Sequence, residues 1–269
     1  MARARRSFHP DLVWHITHRC HKKEFLLKFQ HDKLLWIRWM REAQRRFGLT
    51  VLNFMITSNH IHLMATLGRL GRTAARAARM AVAEAAAATG TKGGAGPSPI
   101  SKSVQLVQSR VAQSYNLRKD RRGAFWEDRF HATAIETGAQ FARCLTYVDM
   151  NMVRAGVVRH PSEWPFCGYG ELRHPEVRPR LRLVDTDALV ALTGAGDLRS
   201  LIGMREGWID EAIRKGRLER EPLWTESLAV ATSKSFLSRF RADLGGTLRR
   251  GEIVSDGDAL LLRRTKRLS

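Results

Sequence analysis

The chain has 269 residues, with 46 Lys and Arg against 26 Asp and Glu and a formal net charge of +20. With 43% hydrophobic residues it can bury a sizeable core, which excludes global disorder. The basic excess attracts polyanions and points to nucleic acid as a partner. Three cysteines, Cys20, Cys144 and Cys167, are odd in number and far apart, so they suit neither a disulfide framework nor a CxxC metal site. The basic opening Met-Ala-Arg-Ala-Arg-Arg-Ser is not followed by an apolar run, and no stretch reaches the roughly 18 apolar residues of a membrane span. A soluble cytoplasmic protein, associated with the nucleoid when bound to DNA, is expected.

In chain order, residues 12–18 are rich in β-branched and aromatic types and read as a strand. Asp32 is placed to cap a helix whose stripe runs Leu35, Trp36, Trp39, Met40, Ala43 and Phe47, with Gly48 as its stop. Two strand-like runs, 50–57 and 61–66, meet at a tight turn around Ser58-Asn59. Residues 68–99 turn Ala- and Gly-rich and predict a short helix followed by a flexible insert. A helix is expected over 103–117, where Val104, Val107, Val111 and Tyr115 share a face. A basic turn, a strand over 130–136 and a helix over 139–152 follow. Beyond an aromatic loop at 161–170, residues 183–215 and part of 223–245 read as helical, and the tail offers no chemical motif.

Two places carry chemistry. On a strand, side chains two apart point to one face, so His60 and His62 stand side by side with Ile61 behind them. Two such imidazoles can hold one divalent cation, although His-x-His alone is equally well two partly exposed histidines. In the later helix Tyr147 and Asn151 are four apart and lie on one face. A phenol attacks a phosphodiester only if its charge is managed, which a cation and basic neighbours can do. Asn151 could add a carboxamide oxygen as a third ligand. Taken alone, Tyr147 reads as a core tyrosine on an amphipathic helix.

Together these segments resemble a known family. The run Met55–Met64, centred on Asn59-His60-Ile61-His62, is similar to the His-hydrophobic-His signature of HUH endonucleases. Tyr147–Val158 is similar to the tyrosine-helix signature of the superfamily's single-tyrosine transposases. Val13–Arg19, Phe125-Trp126 with Arg129-Phe130, and Glu163–Phe166 fall in the matching places. The resemblance covers about residues 6–172 and is nearest to REP-associated tyrosine transposases. It implies Tyr147 as nucleophile, forming a 5′-phosphotyrosine and releasing a 3′-hydroxyl. It also implies His60, His62 and Asn151 as ligands of Mg²⁺ or Mn²⁺. Ser58 and Met152 stand where the family commonly has proline, which bears on turn geometry rather than chemistry.

Arg118, Lys119, Arg121 and Arg122 precede the aromatic pair and are expected to contact phosphates. Trp126 could stack on a base, with core packing as its alternative, and Arg154 could face the same groove. His15, His18 and His21 lie near the first strand, where a zinc cluster is improbable. Glu136 and Asp128 could assist a metal but are expected to pair with arginines on a solvated face. The expected fold is α+β, a ferredoxin-like antiparallel sheet of about four strands with helices on one face. Residues 1–172 would form the catalytic domain and 173–269 a mainly helical extension of unknown role. The expected partner is single-stranded DNA carrying a hairpin or palindromic repeat, with a homodimer possible and no membrane. The alternatives are a domesticated repeat-DNA-binding protein and an HUH nickase of the replication or conjugation type.

Overall fold

Residues Val13–Arg19, mostly β-branched and aromatic, form strand β1 inside the sheet. The computed structural model describes residues 8–67, 97–244 and 251–264. Within it β1 is followed by α1 (Gln30–Phe47), β2 (Leu49–Ile56), β3 (His60–Leu67), α2 (Pro99–Arg118), β4 (His131–Ile135) and α3 (Ala139–Asp149). The chain continues with α4 (Asn151–Arg154), α5 (Gly168–Arg173), α6 (Thr186–Thr193) and α7 (Leu198–Arg214). It closes with α8 (Leu223–Glu226), β5 (Ala229–Ala231), α9 (Lys234–Asp243), β6 (Glu252–Asp256) and β7 (Ala259–Arg263). Most of the expected 68–99 insert lies outside the described residues. Its end is visible at Ser98, whose hydroxyl accepts from the Ser101 amide and caps α2.

The strands form one sheet in the order β2-β3-β1-β4-β5-β7-β6. The first four are antiparallel and follow the ferredoxin-like order, as expected. The extension is not only helical. Strand β5 joins β4 in parallel, and the β6–β7 hairpin continues from it, so the sheet runs across position 172 into the C-terminal residues. The Leu-rich tail is therefore a strand with Leu261 and Leu262 buried, a short apolar run of the kind that period alone does not separate from a helix.

Register sorts the side chains into two faces. Ile16, Leu63 and Phe54 align on one, against α1 and α2, with Trp36 of α1 6.1 Å from Phe54. Phe240 of α9 packs on the same face, 5.8 Å from Trp14. His15, Thr17, Asn53, His60 and His62 point to the other face, which α3 and α8 cover, with α7 packed on α3. Helix α1 ends as expected at Gly48, whose φ of +67° suits a residue without a β-carbon. Its start differs. Phe29, not Asp32, holds the cap position, and Asp32 is buried in the first turn, ion-paired with Arg118 of α2.

The helix expected over 139–152 also breaks. The Met150 amide bonds to both Thr146 and Val148 carbonyls, which tightens the last turn and separates α3 from α4. Asn151 still follows Tyr147 by about one turn. A buried network fixes this junction to the sheet. Asn53 Nδ2 donates to Asp149 Oδ1 at 2.9 Å, and Arg205 Nη2 reaches both Asp149 oxygens at 2.8 and 2.6 Å. Gly168 makes room for Asn53, because a β-carbon there would lie 2.2 Å from Asn53 Oδ1.

Candidate active site

The β2–β3 turn and the α3–α4 junction bring the two sequence motifs together. His60 opens β3, and its Nδ1 is held by Thr57 Oγ1 at 2.9 Å and Asn59 Oδ1 at 2.8 Å. His62 follows on the same face, with the ring centroids 5.1 Å apart and steeply inclined. Asn151 comes from the far side, its carboxamide nitrogen 3.0 Å from His62 Nε2. The Tyr147 ring lies 6.0 Å from that of His62, edge to face. His60, His62, Asn151 and Tyr147 of one chain thus converge on one place.

A fourth ring belongs to the group. His15 Nε2 lies 2.9 Å from His62 Nδ1, with the rings stacked at 5.1 Å, and His15 Nδ1 lies 3.0 Å from the Trp224 carbonyl. Its place on the strand face with Thr17 was legible, but the pairing of β1 beside β3 was not. Parity along each strand becomes a contact only once the register is known. Trp224, in a segment with no motif, was not legible as part of the site at all.

Electrostatics favour neutral imidazoles. Burial pushes His15 down to about 3 and His60 down to about 4, and holds His62 well below its ordinary value. The guanidiniums of Arg19, Arg154 and Arg220 push His60 the same way. Burial raises the Tyr147 phenol, and Arg154 and Arg220 oppose that rise. Arg154 is closest, its guanidinium carbon 4.0 Å from the Tyr147 ring centre and its Nη2 donating to the Tyr147 carbonyl at 2.7 Å. A cleft of about 640 Å³ reaches this tyrosine, lined by Tyr147, Thr146, Met150, Arg154, Trp208 and Glu221.

The donor set suits a small cation. Both Nδ1 atoms are occupied by protein groups, which leaves the Nε2 atoms of His60 and His62 as the donors. A half-turn of the Asn151 carboxamide presents its oxygen instead of its nitrogen. Among the described residues no three His, Cys, Asp or Glu side chains gather as a metal site, and the side chain that stands beside the two rings is this carboxamide.

No family model and no curated protein matches the chain. Among solved structures, a REP-associated tyrosine transposase bound to a REP hairpin is similar at 17% identity. The match covers 67% of this chain and 88% of that one, with a TM-score of 0.46. It transfers no residue role. Among the described residues no helix is long and apolar enough to cross a membrane.

The basic turn lies apart from this cluster. Arg118 pairs with Asp32, and Arg121 lies 3.7 Å from Glu24 and donates to the Ala124 carbonyl. Lys119 sits over the ring of Phe29, and Arg122 is exposed. Trp126 packs against His18, 4.6 Å away on the opposite sheet face from His62, and donates to the Gln108 carbonyl. Of its two readings, packing is the one the contacts favour. Glu136 accepts from Ser233 and the Thr232 amide at the start of α9, where an arginine partner was expected. Phe25 and Phe29, 66% and 52% exposed, flank Lys28 and were not singled out by pattern.

Proposed function

We propose that this chain is a metal-dependent, tyrosine-nucleophile DNA transposase that cuts and rejoins single-stranded DNA. The observation that carries the reading is the meeting of Asn151 with His62 at 3.0 Å, beside Tyr147 of the same chain. A core tyrosine needs no such company. The cluster joins a nucleophile, two neutral nitrogen donors, a carboxamide and a guanidinium within one site.

His60, His62 and Asn151 would hold Mg²⁺ or Mn²⁺, which when bound polarises the scissile phosphate and offsets charge on it. Tyr147 Oη attacks phosphorus. The Oη–P bond forms, the P–O3′ bond breaks, and the departing 3′-oxygen takes up the equivalent of the proton the phenol loses. The product is a 5′-phosphotyrosine with a free 3′-hydroxyl, and attack by a 3′-hydroxyl reverses the step without ATP. Arg154 lies against the phenol ring and favours its deprotonated form. Arg220 bears on both Tyr147 and His60, so a phosphate between them meets positive charge.

The four side chains meet within one chain, which supports assembly in cis; on this reading a homodimer would join two such sites. Lys119 and Arg122 are the members of the basic turn left to meet phosphates, with the exposed ring of Phe29 beneath Lys119 and that of Phe25 four residues before it. A hairpin or repeat-borne single strand is the substrate proposed.

The test is incubation of the full chain with a labelled single-stranded hairpin and Mg²⁺ or Mn²⁺. Cleavage and a denaturation-resistant protein–DNA adduct are expected, and both vanish in Tyr147→Phe. Adducts persisting in that variant would refute Tyr147 as nucleophile. Tight binding without cleavage in any metal would favour the DNA-binding alternative.

A further inference from the structure

We propose that His15 is a positioning residue that fixes the tautomer of His62, and that the Trp224 carbonyl of the C-terminal extension sets it. The inference rests on the reading of His62 as a cation ligand. It gives the extension a part in the chemistry that no sequence motif announces.

The directions of the hydrogen bonds follow from what each group can do. A backbone carbonyl only accepts, so the 3.0 Å contact to Trp224 places a proton on His15 Nδ1. His15 is fully buried, which disfavours a charged ring, and with its one proton on Nδ1 its Nε2 is a lone pair. The 2.9 Å contact between His15 Nε2 and His62 Nδ1 needs one proton, which His62 Nδ1 supplies. His62 Nε2 is left as an acceptor. Asn151 Nδ2, as the carboxamide is oriented, stands 3.0 Å from that nitrogen and is compatible with it as an acceptor. The chain of donors runs His62 to His15 to Trp224, and it aims the His62 lone pair at the place where a cation would sit.

The geometry is also rigid. The rings of His15 and His62 are only 6° from parallel. Thr133, opposite His15 on β4, shares its one hydroxyl proton between the same Trp224 carbonyl at 3.1 Å and the Ser227 carbonyl at 2.8 Å, which pins the α8 backbone over the sheet. A partner of this kind, one step behind a ligand, raises the ligand's basicity and orients its ring. Losing such a partner costs roughly tenfold to a hundredfold in metal affinity. His15→Gln can reach His62 with an accepting oxygen, whereas His15→Phe cannot accept.

Two measurements test this, and neither depends on DNA cleavage. Nitrogen-15 NMR of the histidine rings in the full-length protein reads the tautomer of His62 directly. The Nδ1–H form is expected in the unmodified chain, and an Nε2–H form there would overturn the proposal without any variant. Mn²⁺ binding followed by electron paramagnetic resonance should weaken about tenfold or more in His15→Phe. In His15→Gln it should stay within about threefold of the unmodified chain. Equal Mn²⁺ affinity in all three proteins would also overturn it. A chain that shows the tautomer and the graded Mn²⁺ response but cuts no DNA would refute the nuclease reading and support the positioning role.

Discussion

Arg205 and Asp149 form a buried ion pair at 2.6 Å, each about 1% exposed, two residues after Tyr147. Arg205 belongs to α7 in the C-terminal extension and Asp149 ends α3, so the pair fastens the helix bearing the nucleophile candidate to residues far along the chain. Asn53 of β2 completes the arrangement.

Breaking this pair from one side leaves a buried charge uncompensated. Arg205→Leu is expected to destabilise by roughly 3–5 kcal/mol. The double variant Asp149→Leu with Arg205→Leu should recover a large part of that loss, since an apolar pair removes both desolvation costs. Urea unfolding of the three proteins checks it. A single variant no less stable than the double one would refute the uncompensated charge as the source of the loss.

The histidines are expected to separate cutting from binding. Replacing His60 and His62 by Ala should abolish metal-dependent cleavage, as should a chelator, while most DNA affinity remains, because phosphate contacts dominate it. Gel-shift titration beside a cleavage assay reads both. Cleavage that survives the chelator would remove the metal from the mechanism.

The basic turn should divide into two kinds of residue. Lys119→Ala and Arg122→Ala are each expected to lower the salt slope of single-strand binding by roughly 0.7 with little effect on folding. Arg118→Ala leaves Asp32, 1% exposed, without that partner, and the expected loss is in thermal stability instead. Melting temperatures and salt titrations of the three variants distinguish these outcomes, and three equal salt effects would contradict the division.

Acid should loosen the apo protein through its buried imidazoles. His15 is held down to about 3 and His60 down to about 4, both below the roughly 6.5 of an unfolded chain. Between those limits the unfolded state binds protons that the folded state refuses, so stability present above about pH 6.5 is lost as pH falls toward 4. Thermal melts from pH 7 to pH 4 should show a shallower decline for His15→Phe than for the unmodified chain. Parallel declines would refute the assignment.

How much of this was legible varies with the range of the interaction. Strand and helix periods are local, so β1, α1, β2, β3, α2 and α3 all fall close to where the patterns put them. Spacing left His60 with His62, and Tyr147 with Asn151, ambiguous taken singly; that the two would meet was implied by the family resemblance, which rests on the order of the motifs. The contacts of Arg118 with Asp32 and of Arg205 with Asp149 join residues 86 and 56 apart and depend on packing. His15 shows the boundary clearly: its face followed from alternation, but its partners needed a sheet register and a carbonyl more than two hundred residues away.

Strand β4 gains its outer neighbour only from the far end of the chain. The Ala134 and Glu136 amides donate to the Leu228 and Val230 carbonyls, both beyond residue 172. A product ending at 172 would carry β4 as an open edge, two amides bare, beside a Thr133 that has lost its carbonyls. Such an edge invites pairing with other chains and aggregation. Nonsense or frameshift alleles that stop the chain between residues 172 and 228 would therefore be expected to produce insoluble protein, not a smaller working enzyme.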